Sequence, residues 1–449
     1  MRKNLLLFVT ILFLSSQAKG QFFSPYQDEG NLAGGFGLTW INNQPFYNIH
    51  LTPELAFNNF GLGLDLNLEF NSRGKLRSEN FKTFSDYLRI IRYFRYGYKG
   101  DPVYFKVGIL SHATIGHGNI MEYYNNSPSY DARKNGAVLD VDFNNFGFES
   151  IYSNFLQAGI IGFRGYVRPL KFTSLAAVPI ISNLEIGASY FTDLNSNVGV
   201  VAGSIDTAGN FVSSLDRGRL SVYSIDAGLP ILRARLLNID LFFDYTKIVS
   251  YGSGTQYGIK FNLKGLGLVD AEAKFERRVN SEQYIPSYFN SLYELTRFSY
   301  NPTTGAVDSR LLELENSNIS TKGWFGELYV SVLGTFDVIG SYQRLDEIPN
   351  SGELHLAANI LPEGVPFILR AGYDKTNIGN ESAIFTLDER SNLHTEIGYK
   401  ITSYLAATIY YRWTFLPVRD VNDNIIDYQT QKRVEPRLTF VYPFDVGGK

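Results

Sequence analysis

Five histidines punctuate the chain: His50, His112, His117, His355 and His394. Imidazole titrates near neutral pH and ligates transition metals, so its neighbours decide what chemistry is open to it. His112 and His117, with Glu122, offer two neutral imidazoles and a carboxylate, a donor set that suits a zinc-type ion. Their spacing matches no tight ligand motif, so no metal is expected there. His355 and His394 alternate with Glu353 and Glu396, which makes an acid–base pair conceivable but equally fits a hydrated wall. The chain contains no Gly-x-Ser-x-Gly, phosphate-binding loop or zinc-helix motif. Neither an enzyme nor a bound cofactor is expected.

A second set of residues alternates charge with apolar bulk. Arg89, Tyr93 and Arg95 fall on one face of a strand pattern, and Arg164, Tyr166 and Arg168 on one face of another. Asp65 and Glu69, and Asp140 and Asp142, do the same with the opposite sign. A basic wall facing an acidic one would impose a transverse field on polar solutes. The same charges could instead pair with one another and brace the wall. Arg92 falls on the apolar face, where mid-bilayer burial would cost roughly 2–4 kcal/mol; a bulge or a rim position is therefore expected.

Only strands with two unlike faces can present charges in this way. In Gly61–Phe70, GLGLDLNLEF, every second residue from Leu62 is apolar and the others are Gly, Asp, Asn or Glu. Strand side chains alternate faces with a period of two, so such a strand is apolar on one side and polar on the other. The pattern returns throughout. Lys106 opposes Val103, Phe105 and Val107; Asp240 and Asp244 oppose Leu241 and Phe243; Lys260 opposes Tyr257 and Phe261. Glu272 and Lys274 oppose Ala271, Ala273 and Phe275, Arg370 opposes Leu369 and Ala371, and Arg412 opposes Tyr411 and Trp413. Glu396 lies on a predicted polar face with His394. No sandwich core requires the unbroken charged face of Asp270, Glu272, Lys274 and Glu276, whereas a water-filled lumen accommodates it.

Composition agrees. Tyr (30) and Phe (34) are abundant while Cys is absent, which suits interfacial aromatic girdles and passage through an oxidising compartment. Forty-one basic residues against 44 acidic leave a net charge of -3, which argues against a nucleic-acid partner. Mean hydropathy is -0.11 because half of each strand is polar. The first twenty residues read as a signal peptide: Arg2 and Lys3, an apolar run Leu5–Leu14, and Ala18-Lys19-Gly20 before a cut at Gln21. Residues 21–32 read as a periplasmic segment and 33–449 as the barrel.

Connections alternate in length. Short ones fall at Asn58–Phe60, Lys99–Pro102, Asn144–Phe146, Lys264–Gly267, Leu333–Phe336, Leu361–Pro366 and Ile401–Ser403. Long ones fall at Asn71–Asp86, His112–Gly136, Thr192–Gly218, Val279–Thr321, Lys375–Asn392 and Leu416–Arg433. That rhythm predicts an antiparallel up-and-down barrel of about twenty strands, with about sixteen to eighteen also compatible, short periplasmic turns and long outer loops. The FNNFG text at Phe57–Gly61 and again at Phe143–Gly147 suits tight hairpin turns.

Taken together, these features resemble a Gram-negative outer-membrane β-barrel of porin type. The final strand, with Phe440, Tyr442 and Phe444, resembles the aromatic ending that the barrel-assembly machinery reads, although Asp445–Lys449 extend past it. The resemblance implies an outer-membrane location, lipid around the apolar face, and passage of small polar solutes. An occluded, partner-binding barrel is the alternative, and an outer-membrane hydrolase a third. The loop His112–Gly136 is expected either to fold inward, with His112, His117, Glu122, Tyr123 and Tyr124 as constriction residues, or to be a plain ordered loop. Val279–Thr321 is expected to cap or partly plug the barrel, or to lie as an irregular surface loop.

Overall fold

A strand whose faces differ is stable only if its polar face meets water or other polar groups and its apolar face meets hydrocarbon. In the computed structural model, all such strands close into one ring. Residues 31–443 are described, apart from 42, 58, 79–80, 82–86, 130–132, 266, 334, 361–364 and 403–404; the expected signal peptide and Phe444–Lys449 lie outside the described residues. One sheet holds 21 strands. Phe60–Leu64 and Leu66–Phe70 both pair with Gln44–Phe57, so they are two halves of one stave interrupted at Asp65. The described residues therefore form twenty staves. Each pairs antiparallel with its sequence neighbours, and Asn31–Ile41 pairs with Ile425–Pro443 to close the ring. Among the described residues this closure pairs the first stave with the last, the condition for strands in a bilayer; Leu66–Phe70 pairs with a strand on one side only.

The burial pattern is the reverse of a soluble protein's. On the stave Val269–Asn280, Phe275 is 52% exposed while Lys274 and Glu276 are 5% and 0% exposed. An exposed Phe in water would forfeit about 1.5–3 kcal/mol of transfer free energy; against lipid it forfeits little. The outward face is thus the lipid face and the ring is a transmembrane, porin-like β-barrel. Rings cluster near the short turns, with Phe60 against Tyr96 at 5.0 Å, Phe143 against Phe146 at 5.0 Å and Phe367 against Tyr399 at 5.7 Å. This is the position of an interfacial girdle.

Short connections fall at one end, together with the first residues of the first stave and the last of the final one. Asn144, at φ 68°, takes the left-handed conformation its tight turn requires. Arg168–Leu184 is the exception at this end. It forms three short 3-10 turns, Pro169–Phe172, Ser174–Ala177 and Ile181–Asn183, with Phe172 and Ile181 exposed.

One local expectation is met and one is not. Arg92 sits in a bulge: Gly63 pairs with Tyr93 and Leu64 with Ile91, so Arg92 is the extra residue. Arg92 and Tyr93 are both buried, while Ile91 and Phe94 face out. Leu416–Arg433 is not a long loop. Leu405–Arg419 and Ile425–Pro443 stay paired almost to their tip, leaving only residues 420–424 as the connection. Beyond the bilayer neither face of this hairpin needs to be apolar, so its period-two signal disappears.

The long connections build a second layer. Val200–Ile205 and Phe211–Asp216, from one loop, join Phe298–Tyr300 and Ala306–Ser309, from another, in a separate four-stranded sheet. The tip of the last hairpin meets this sheet. Asp420 accepts from the backbone N–H of Phe211 (3.1 Å), and Ile426 packs with Phe298 and Val307. The cap therefore bridges staves that are well separated around the ring.

Candidate functional site

The loop that follows Val103–Gly108 turns inward. Its core is a hairpin in which Ala113 and Tyr124 exchange two backbone hydrogen bonds of 2.9 Å. Gly116 (φ 60°) and Gly118 (φ 95°) supply the left-handed residues at its tip. Asn126 fixes the return. Its side chain accepts from the N–H of Leu110 (3.0 Å) and donates to the carbonyl of Ser153 (2.9 Å).

The second loop, between Val269–Asn280 and Thr321–Val332, lies against this hairpin. The N–H of Ser287 donates to Asn119 O (2.9 Å), that of Phe289 to Ile120 O (3.1 Å), and that of Glu122 to Phe289 O (3.3 Å). Apolar side chains seal the junction: Met121, Tyr124, Phe289 and Tyr293 are almost wholly buried in one cluster with Ile160, Phe191 and Val222 of the wall. Two short helices, Tyr293–Thr296 and Arg310–Asn316, complete the loop, the second capped by Ser309 Oγ accepting from Leu311 N–H (3.1 Å). Tyr124 Oη (2.5 Å) and Lys134 Nζ (2.5 Å) both donate to Glu294. Burial alone would raise the Glu294 carboxyl, but Lys134 and Arg297 outweigh it and hold it below the usual carboxylate range.

Together the two loops form an inner plug, and the plug is bonded to the wall in several directions. The N–H of Gly116 donates to Glu149 (2.8 Å). His117 stacks on Phe242 with ring centroids 4.9 Å apart, and its carbonyl accepts from Lys274 Nζ (2.7 Å). Glu122 binds Lys274 (2.8 Å) and Arg278 (2.9 Å). Tyr123 donates to Glu327 and stacks on His355 at 4.3 Å. Thr414 Oγ1 donates to Pro128 O (2.9 Å), and Arg133 pairs with Asp65 (2.8 Å). These partners sit on staves spread around the ring, so the hairpin lies within the lumen.

Most of the predicted charged residues have found an opposite charge. Besides Arg133, Asp65 has His50 Nε2 at 3.0 Å. Glu69 binds Arg77 (2.9 Å) and Arg433. Lys99 bridges Asp140 (2.7 Å) and Glu149 (2.8 Å). Arg164 holds Asp226, Glu185 and Glu149, while Arg168 holds Asp142 (2.8 Å) and Glu185 (2.9 Å). Arg233 pairs with Asp240, Lys264 with Glu272 (2.9 Å), and Arg370 with Glu396 (2.9 Å). Asp244 stands opposite Asp226 in the register, and both are buried. Lys106 and Lys260 lie over aromatic rings, Tyr93 and Phe242, and Arg412 over Tyr410. Arg95 donates to Tyr98 Oη (2.7 Å) and Gly97 O (3.2 Å). Arg89 is half-buried in the connection before its stave.

His112, His117 and Glu122 are not brought together: His117 faces Phe242, and Glu122 is held by Lys274 and Arg278. His112 instead meets His355 and Asp374. The sequence pattern does not single out Arg278, Arg133 and Asp374 as site residues, although Glu276 belongs to its charged face. Strand alternation places Glu276, Arg278 and Asp374 on one polar phase of their staves, and Arg133 lies in the His112–Gly136 loop itself, but no local spacing pairs them with Glu122, His112 or Asp65.

Cavities survive where plug and wall do not touch. One of about 110 Å³ is lined by Asp65, His112, Arg133, Asp374, His394 and Arg412, among others. A second, of about 370 Å³, opens at the long-loop end beside Asn154, Asn195, Glu294, Asn424 and Tyr428.

No protein-family model and no curated protein matches the chain. Solved structures similar to it include OccK11 (OpdR) of Pseudomonas aeruginosa, at 9% identity over 95% of this chain and 100% of that one, with a TM-score of 0.29. The outer membrane protein opdK of the same organism gives 9% identity, coverage of 92% and 97%, and a TM-score of 0.32. The siderophore receptor PirA of Acinetobacter baumannii gives 8% identity, coverage of 93% and 81%, and a TM-score of 0.34. Those likenesses carry no argument, and the assignment of this chain as a transmembrane β-barrel stands on its own closed register and inverted burial.

Proposed function

We propose that the chain is an outer-membrane channel for small polar solutes, and that its inner plug confines passage to narrow polar seams along the wall. The observation that carries this reading is the bonding of one short hairpin to distant staves at once, Gly116 to Glu149 and Pro128 to Thr414. A lumen crossed in this way cannot behave as an open pore. Paired charges along the seam give little net preference for anions or cations, so size and hydrogen bonding select the solute. Lipid covers the outward apolar face. The assembly machinery recognises the final stave, after a signal peptide has delivered the chain and been cut at Gln21.

Osmotic swelling of proteoliposomes tests the proposal. Swelling is expected with small sugars and amino acids and is expected to fall away with oligosaccharides. Swelling in oligosaccharides would mean an open pore. No swelling with any solute would favour a second reading, an occluded barrel that serves a partner; the four-stranded cap across the long-loop end is the observation in its favour.

A further inference from the structure

His112 lies at the root of the inner hairpin. His355 lies on the stave Gly352–Ile360, and Asp374 on the next, Phe367–Ile378. Nothing in the sequence spacing unites them, yet one ligand atom from each lies within 4.8 Å of the other two. The two imidazoles meet at a tilt of 58° with ring centroids 4.8 Å apart, and His355 Nδ1 is 2.7 Å from Asp374 Oδ1. His355 and Asp374 are buried, and His112 Nδ1 is buried with no hydrogen-bond partner. A buried imidazole nitrogen without a partner is costly unless something binds it.

We propose that His112, His355 and Asp374 form a site for a divalent transition-metal ion of the zinc type, which fastens the inner loop to the barrel wall.

Ligand distances of about 2.0–2.2 Å place tetrahedral donors about 3.4 Å apart. The three groups therefore need only close in modestly, and the hydrogen bond between His355 and Asp374 gives way to shared coordination. Three protein ligands leave one position open. His112 and Asp374 also line the cavity of about 110 Å³, together with His394. His394 is inward: its imidazole occupies the space a Cβ on Gly372 would need, and Gly372 is its partner in the register. It can supply a fourth nitrogen or hold a metal-bound water. Two or three imidazoles and one carboxylate favour zinc, nickel, cobalt or copper over calcium or magnesium, which prefer all-oxygen shells. Arg133 and Arg412 line the same cavity, and Asp65 offsets part of their charge. Affinity must then come from coordination rather than from a negative field.

The inference goes beyond the channel reading, and its test reads binding rather than permeation, so the two can fail separately. The full-length barrel, folded in detergent, would be titrated with Zn²⁺ by calorimetry and with Co²⁺ by visible absorption. One saturable site per chain is expected, with the intense bands of four-coordinate Co²⁺. His112→Ala and His355→Gln should each abolish it; the Gln variant retains a hydrogen-bonding group beside Asp374 if alanine there prevents folding. His117→Ala, which removes an imidazole outside the cluster, should bind as the parent does. Heat-modifiable migration on a gel confirms that each variant is folded. Absence of saturable binding in the parent, or undiminished binding in folded His112→Ala and His355→Gln variants, would overturn the proposal.

Discussion

Deleting His117–Ser129 is expected to raise the single-channel conductance of the barrel several-fold. The segment carries the hairpin tip and most of its bonds to the wall, through His117, Glu122, Tyr123 and Pro128. The wall does not depend on these contacts for closure: each stave pairs with its neighbours, and the first pairs with the last. The deletion therefore empties the lumen without opening the ring. The second loop loses the apolar seal that Met121 and Tyr124 provide, and should loosen as well. Planar-bilayer recordings of the parent and the deletion variant decide the matter. An unchanged conductance in a folded, heat-modifiable deletion barrel would mean that the hairpin does not limit passage.

A single charge should matter nearly as much. Glu122→Gln leaves the shape of the hairpin intact but removes the carboxylate shared by Lys274 and Arg278, all three being buried. Breaking a buried ion pair by removing one partner costs about 3–5 kcal/mol, because a desolvated charge is left behind. Glu276 still contacts both cations, so the low end of that range applies. Only plug docking carries the loss. The expected result is new protease cleavage within residues 109–135 and more frequent large conductance steps, with barrel migration unchanged. Glu315→Gln provides the contrast. Its partner Arg217 is half-exposed on the outer loops, and such pairs contribute little. Equal protease resistance in the parent and Glu122→Gln would show that the Glu122 bridge does not hold the plug.

Much of the wall was legible because lipid and lumen impose opposite demands on alternate residues. Leu62, Leu64, Leu66 and Leu68 against Asp65, Asn67 and Glu69 announce a stave, and the latter three are buried. Even the bulge at Arg92 was one of two readings, the other being a rim position, since a charge on the apolar face has few other resolutions. The break at Asp65 could not be read, because both halves keep the same phase. Pairing above the bilayer was equally hidden: the extended hairpin Leu405–Arg419 and Ile425–Pro443 and the four-stranded cap have no lipid face to enforce a period. The plug illustrates the further limit. An inward fold was one of two readings of His112–Gly136, but the partners of Glu122 are Lys274 and Arg278, far along the chain, and His112 meets His355 rather than His117. Those pairings are set by the closure of the ring and by the second loop, and no local spacing encodes them.

The presence of the hairpin inside the lumen can be measured directly. The chain contains no cysteine, so a thiol pair placed at Pro128 and Thr414 has no competing background. Thr414 Oγ1 lies 2.9 Å from the carbonyl of Pro128, across the seam between plug and wall. In outer membranes isolated from cells expressing Pro128→Cys/Thr414→Cys, oxidation should yield an intramolecular disulfide, seen as a reducible mobility shift of the heat-denatured chain, and neither thiol should then react with maleimide. A folded barrel whose two thiols are both labelled and never cross-link would place the hairpin outside the lumen and contradict the account.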